Sequence, residues 1–310
     1  MTIRNVTIIG GGLIGASWAA LFLAHGLHVT VQDSDSVAEA RVAGFIRRAW
    51  PDLVALGLAS ALPDLARLRF VADPAEACRQ AQFIQECGPD RLDTKQAILR
   101  GIEAGAPAGT PVASSTSALL ASDIQAGARH PGRVLVGHPF NPPHLIPLVE
   151  LVAGRRTTAE TMDRAQAFYE SLGRAVIRPR KEAIGHVANR LSAALYREAV
   201  HLVAEGIASV DDVDRAIASG PGLRWALMGP HLTYHLGGGE GGFRHYIRHL
   251  GPTQAARWRE LGTPELTEEA IAALIAGVDA ELAGLDAATL EGRRDRALVG
   301  LLRLKAELGL

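Results

Sequence analysis

Val6-Thr7-Ile8-Ile9-Gly10-Gly11-Gly12-Leu13-Ile14-Gly15 is a run of four β-branched residues that ends directly in glycine. The first four residues predict a short buried strand, and the glycines predict a tight turn. Ala16 to His25 is rich in Ala and Leu, lacks Pro and predicts a helix, which Gly26 stops. Leu27 to Gln32 then reads as a second strand that closes on Asp33. Strand, glycine turn, helix, strand and acid in this order fit a dinucleotide-binding unit. Gly10 permits the turn, Gly12 lets the backbone approach a pyrophosphate, and Gly15 lets helix and strand pack closely. Leu13 and Ile14 open the helix, whose free amides and positive end would face the phosphates. Asp33 lies eighteen positions past Gly15 (33−15=18), about where an acid grips a ribose diol. No Arg or Lys stands between Asp33 and Arg41, so the pattern predicts NAD rather than NADP. The competing reading is a glycine turn that holds no nucleotide.

Outward from this unit, strands are expected at 68–71, 83–85, 111–113, 134–137 and 176–178. A long helical stretch runs to about Leu58, with Pro51 read as a break or a helix start. Strands alternating with helices predict an α/β, Rossmann-type, doubly wound and mostly parallel sheet. From about residue 183 the pattern turns helical, with helices expected at 187–206, 210–219, 265–282 and 287–308. Gly220-Pro221-Gly222 and the glycine-rich run 237–242 interrupt it. The expected division is an NAD-binding domain over 1–183 and an all-helical substrate and dimerisation domain over 184–310.

The composition is that of a soluble globular chain: 310 residues, 48% hydrophobic and 21% charged. Disordered, collagen-like and disulfide-stapled classes are excluded. Lys+Arg 32 against Asp+Glu 33 leaves a net charge of -1, so no global basic field is available for nucleic acid or an anionic membrane. Apolar runs fall well short of the roughly 20 residues of a membrane span, and the first residues lack a signal-peptide layout. With only Cys78 and Cys87, a reducing cytoplasm is expected. No metal-binding pattern is present.

The chemistry is expected at Gly137-His138-Pro139-Phe140-Asn141-Pro142-Pro143, which follows the apolar strand Val134-Leu135-Val136. His138 thus stands at the carboxyl end of a strand, where open α/β sheets bind ligands. Glu150 follows twelve residues on (150−138=12) in a second apolar run, 147–152. A carboxylate in such a run needs a partner. If the Pro-rich link folds the two runs together, Glu150 would orient His138 as a general base. Ser114 to Ser117 is a hydroxyl-rich strand end, equally readable as a polar loop with a helix cap. Asn189-Arg190, at a helix opening, is similarly open.

These residues carry a family resemblance over nearly the whole length. The sequence resembles the 3-hydroxyacyl-CoA dehydrogenase superfamily, and within it the branch of carnitine and gulonate 3-dehydrogenases that includes lambda-crystallin. The matching segments are 10–15, 84–87, 114–117, 138–142, 147–152, 189–191 and 222–230. The resemblance implies His138 as base, Glu150 as its partner, Ser117 bonded to the reacting oxygen and Asn189 helping to hold it. It also implies Asn141 by the nicotinamide, and Asp33, Glu86 and Lys95 near the cofactor. Position 90, commonly Glu in the family, is Asp90 here.

The implied reaction oxidises the 3-hydroxyl of a small free hydroxy acid to the keto acid, with carnitine ahead of gulonate. A CoA ester is the alternative, weakened because Lys occurs only at 95, 181 and 305 and no Lys or Arg lies between Arg48 and Arg67. Arg224 could grip a free carboxylate, with Trp225, Tyr196 and Phe140 as aromatic faces for a quaternary ammonium group. A surface Arg and ordinary core aromatics are the competing readings. Another class, a catalytically silent NAD-binding or crystallin-like structural protein, stays open at this point. The apolar stripe of 187–206 and the leucines of 298–304 predict a homodimer through the helical domain.

Overall fold

β1 (Asn5–Ile9) leads through the glycine turn into α1 (Leu13–Ala24) and β2 (His28–Gln32), the strand–turn–helix–strand of the sequence reading. The computed structural model describes residues 2–310; Met1, the first residue of the expected 1–183 domain, lies outside the described residues. The chain divides into two compact units, Met1–Arg190 and Leu191–Leu310.

In the first unit α2 (Ala38–Ala55), β3 (Leu68–Val71), α3 (Pro74–Cys78), β4 (Phe83–Glu86), α4 (Leu92–Gly105), β5 (Val112–Ser114) and α5 (Ala121–Gln125) follow β2. Then come β6 (Val134–Pro139), β7 (Leu148–Ala153), α6 (Ala159–Ser171) and β8 (Ala175–Ile177). Among the described residues these strands form one sheet in the order β3-β2-β1-β4-β5-β6-β7-β8. All neighbouring pairs are parallel except β6 and β7. The parallel pairs need helical crossovers, whereas the antiparallel pair is closed by a short loop. This is a doubly wound, Rossmann-type sheet.

The core is densest where α1 meets the sheet. Residues 15–23 of α1 are all buried, because small Gly15, Ala16, Ala19 and Ala20 let the backbone come close. Trp18 stacks on Phe22 at 5.3 Å, and Phe83 meets Phe168 at 4.3 Å on the same side. Pro51 neither breaks nor starts a helix: it sits inside α2. The buried stripe of Val42, Ile46, Ala49, Trp50 and Leu53 continues on both sides of it, and that packing outweighs the roughly 3 kcal/mol cost of an interior proline.

α7 (Ala188–Ala204) crosses the division. The second unit continues with α8 (Val210–Ser219), α9 (Pro221–Trp225), α10 (Pro230–Gly237), α11 (Gly242–His249), α12 (Gly251–Glu260), α13 (Glu268–Leu282) and α14 (Ala287–Leu308). No strand occurs in it among the described residues. The glycine segments do end α8 and α10, but 221–260 is not loop. Pro221 and Pro230 start new short helices at a position where a missing N–H costs nothing. Tyr234 of α10 stacks on Tyr246 of α11 at 4.5 Å. Among the described residues, no helix is long and apolar enough to cross a membrane.

Candidate active site

The glycine turn is made of backbone. Gly10 has φ +97°, and a Cβ there would stand 2.8 Å from the Cys87 carbonyl oxygen. A Cβ on Gly15 would lie 1.9 Å from the Gly10 carbonyl oxygen, so helix and turn touch without a side chain between them. Gly12 is different: nothing among the described residues lies within 4 Å of a Cβ there. Gly12 is also the N-cap of α1 and offers no capping side chain. With Leu13 56% exposed, the first amides of α1 open onto a cradle that a Cβ at Gly12 would partly fill. That arrangement fits a dinucleotide pyrophosphate. Asp33 lies just past β2, where its Oδ2 accepts from the Gly11 amide at 2.8 Å and its Oδ1 from the Asp35 amide at 2.9 Å. The basic side chain beside it is Arg41 itself, 3.6 Å away and carried there by the first turn of α2.

Glu86 and Lys95 form a buried pair. Lys95 Nζ lies 2.8 Å from Glu86 Oε2 and donates also to the Gly88 carbonyl at 3.1 Å. The other Glu86 oxygen accepts from the Gly88 amide at 2.7 Å, and Ser114 Oγ donates to Oε2 at 2.5 Å. Their polar atoms are thus taken up by the protein, and the pair braces the β4–α4 turn whose Cys87 carbonyl faces Gly10.

The second part of the site is the antiparallel seam. In its register His138 of β6 lies directly opposite Glu150 of β7, with side chains on one face. His138 Nδ1 is 2.9 Å from Glu150 Oε2, and both side chains are buried. Glu150 Oε1 accepts from the amides of Val187 and Ala188 at 2.9 and 3.1 Å. Burial opposes its ionisation, but His138 and these two amides outweigh it and hold the carboxyl below its ordinary value. With Nδ1–H donated to the carboxylate, Nε2 of His138 is left as the proton acceptor.

The loop between the strands is pinned to α1. His144 Nδ1 lies 2.8 Å from Ser17 Oγ, and Ser17 Oγ accepts from the His144 amide at 2.9 Å. Phe140 stands edge-on to His138 with ring centroids 5.2 Å apart. Asn141, joined to Pro142 by a cis peptide, is exposed at the head of this loop.

Ser117 is exposed after β5, where its amide and Oγ both donate to Asp90 Oδ2 at 3.1 Å. Thr116 Oγ1 donates to the other Asp90 oxygen. Asp90 thus orients the hydroxyl loop, a part the sequence left open. Asn189 is half-buried in the first turn of α7, three residues beyond His186. In the helical unit, Tyr196 is 62% exposed on α7, and Arg224 and Trp225 are exposed on α9.

His186 was not anticipated. Its backbone has φ +50°, its ring is buried, and its centroid is 5.1 Å from that of His138. Nε2 donates to the Thr116 carbonyl at 3.1 Å, while Nδ1 has no partner among the described residues. Burial pushes this imidazole below its ordinary value, so it is neutral beside the pair. The only sequence signal was a histidine after Gly185 at a helix start.

Comparison with known proteins agrees with this geometry. The family model for the 3-hydroxyacyl-CoA dehydrogenase NAD-binding domain matches residues 5–183, and that for the carboxyl-terminal domain matches 185–273. An L-carnitine dehydrogenase of Nocardiopsis dassonvillei is 46% identical over 306 residues, covering 99% of this chain and 93% of the relative. One of Pseudomonas aeruginosa is 45% identical over 300 residues, covering 97% and 93%. Among solved structures, a 5-formyl-3-hydroxy-2-methylpyridine 4-carboxylic acid 5-dehydrogenase, described as an NAD+-dependent dismutase, superposes with TM-score 0.83 at 28% identity over 98% of both chains. A 3-hydroxyacyl-CoA dehydrogenase of Archaeoglobus fulgidus gives TM-score 0.68 at 26% identity over 99% of both. With a glycine cradle for the dinucleotide, a cross-strand His–Glu pair and both family models matched in order, this chain belongs to the 3-hydroxyacyl-CoA dehydrogenase family.

Proposed function

We propose that the protein is an NAD-dependent L-carnitine dehydrogenase, oxidising the 3-hydroxyl of carnitine to the 3-keto compound. The observation that carries the reaction is the pairing of His138 with Glu150 at the carboxyl edge of the sheet. NAD, when bound, supplies the acceptor for the hydride that leaves the carbinol carbon. His138 Nε2 takes the hydroxyl proton, and Glu150 stabilises the imidazolium that results. Ser117 and Asn189 hold the reacting oxygen. The single hydrogen of the substrate hydroxyl points to His138, so the Ser117 O–H, donated to Asp90 at 3.1 Å, would turn from it to donate to the reacting oxygen. Gly10, Gly12, Leu13, Ile14 and Gly15 take the pyrophosphate, Asp33 the ribose and Asn141 the nicotinamide. Glu86 and Lys95 act by holding the adjoining turn.

The substrate is supported by the relatives named L-carnitine dehydrogenase, which are 42–46% identical over nearly the full length. A CoA ester is disfavoured by the shortage of lysine, and α2 carries no basic residue in its last turn. A purely structural role is disfavoured by the intact His138–Glu150 pair. Arg224, with the Tyr196, Trp225 and Phe140 rings, is proposed to recognise the carboxylate and ammonium ends; Arg224→Ala should raise KM for carnitine.

The deciding experiment is a kcat/KM panel with NAD on carnitine, gulonate, 3-hydroxybutyrate and 3-hydroxybutyryl-CoA. Carnitine should lead, and a higher value for the CoA ester would overturn the assignment. We further propose a division of labour between a cofactor domain, 1–183, and a helical substrate and dimerisation domain, 184–310. The exposed Leu191 and Leu195 on α7 and Leu304 on α14 support a homodimer. Sedimentation at the monomer mass of 32.8 kDa would refute it. A cytoplasmic location is supported by Cys78 and Cys87 being free thiols.

A further inference from the structure

The loop between β2 and α2 holds a small charge cluster at the ribose end of the glycine turn. Arg41 Nη1 donates to Asp35 Oδ2 at 2.8 Å, Nη2 lies 3.6 Å from Asp33 Oδ2, and Nε donates to the Gly11 carbonyl at 3.3 Å. Asp33 is in turn fixed by the amides of Gly11 and Asp35, and Asp35 Oδ1 accepts from the Val37 amide at 3.0 Å. A guanidinium therefore stands within reach of the acid that the sequence pattern assigns to the ribose diol. The absence of basic residues before Arg41 does not by itself account for a preference for NAD.

We propose that Asp35 is a second cofactor-selectivity residue: by occupying Arg41 it withholds from the adenosine ribose the guanidinium that would otherwise receive a 2′-phosphate. The inference rests on the dinucleotide binding at the glycine turn. A 2′-phosphate brings about −1.5 to −2 charges, as other phosphate monoesters do near neutral pH. It would meet two carboxylates and one cation, a cluster of net negative charge. To bind it, Arg41 must exchange an existing charge-assisted hydrogen bond for a new one, which gives little net gain. The Arg41 side chain is 44% exposed, so its guanidinium is open to solvent and to a ligand. Asp35 is drawn below its ordinary carboxyl value by the Arg41 hydrogen bond, as an occupied guanidinium requires. Removing Asp33 alone takes away one repulsion and leaves Arg41 with Asp35. Removing both acids frees the fork.

The test uses binding and needs no turnover. Adenosine 2′,5′-bisphosphate and adenosine 5′-diphosphate are titrated by calorimetry into the full chain, with NADH binding followed by fluorescence in parallel. Wild-type protein should bind NADH and strongly prefer the 5′-diphosphate. Asp33→Ser should narrow that preference modestly. Asp33→Ser with Asp35→Asn should tighten the 2′,5′-bisphosphate roughly ten- to a hundredfold further, the worth of a charged hydrogen bond. Adding Arg41→Ala should abolish that second gain. Raised salt should shrink it, because the groups are exposed. Asp33→Asn with Asp35→Asn keeps one side-chain oxygen at each position to accept from a backbone amide and repeats the comparison should the Ser variant disturb the turn; 5′-diphosphate binding reports that the turn is intact. The proposal is overturned if the double variant binds the 2′,5′-bisphosphate no better than Asp33→Ser, or if the gain survives Arg41→Ala. If wild-type protein binds neither NADH nor the 5′-diphosphate, the underlying reading of the glycine turn fails instead.

Discussion

The glycine turn after β1 and the seam between β6 and β7 both stand at the carboxyl edge of one sheet, yet they are built in opposite ways. The turn is made by leaving side chains out: Gly10, Gly12 and Gly15 bring backbone to backbone and backbone to ligand. The seam is made by placing two side chains opposite each other, so that Glu150 fixes the ring of His138. In a site made of backbone an added atom costs either the fold or the ligand, whereas a site made of side chains tolerates changes that keep register and charge. Substitutions in the two regions should therefore fail differently.

The largest effect is expected at the seam. His138→Gln should lower kcat by roughly 10²–10⁴, the worth of a general base, while NADH binding by fluorescence stays near normal. Turnover close to wild type would remove His138 from the chemistry. Next is the brace behind the turn: Lys95→Met leaves Glu86 buried without its cation and should cost about 3–5 kcal/mol in urea unfolding. The two glycines then separate fold from function. Gly15→Ala drives a Cβ against the Gly10 carbonyl and should destabilise by about 1–3 kcal/mol or more. Gly12→Ala meets open space, so Tm should hold while NADH affinity falls about tenfold through lost amide contacts. Equal losses of Tm in the two variants would erase the contrast.

The smallest effect is a change of slope. His186 is held neutral by burial, partly offset by the Thr116 carbonyl. Its folded value lies below its unfolded value, so its contribution is complete above about pH 6.5 and is lost as pH falls through the folded value. His186→Phe should flatten the acid-side decline of stability just below pH 6.5. Glu150, also held low, contributes above its unfolded value of about 4.3 and loses its part at lower pH. An unchanged slope in His186→Phe would mean that this ring is not protonated on acid unfolding.

The turn could be read in the sequence because its logic is local: ten residues with four glycines, a strand at their start and a helix at their end. His138 and Glu150 were legible as two apolar runs joined by prolines, but their pairing depended on a register that no single segment encodes. His186 and the partner of Asp90 escaped for the same reason, whereas the Arg41–Asp35 bond spans only six positions and depends on which acid the guanidinium takes. Asp90 meets Ser117 across 27 positions, and His186 meets Thr116 across 70. The short helices of 221–260 were hidden because glycine and proline there start helices as well as end them. Pro51 misled because an interior proline is expensive only until a buried stripe outweighs it.

The seam is also the one place in the sheet where neighbouring strands run in opposite directions. Side chains alternate faces along β7, so a slip of one residue would turn Glu150 away from His138 and set Val149 or Leu151 in its place. Catalytic competence is thus a reporter of strand alignment: a refolded population could recover its helix content and still contain inactive, misregistered molecules. Recovery of activity during refolding cannot precede the closing of this seam in register, whereas recovery of helix content can.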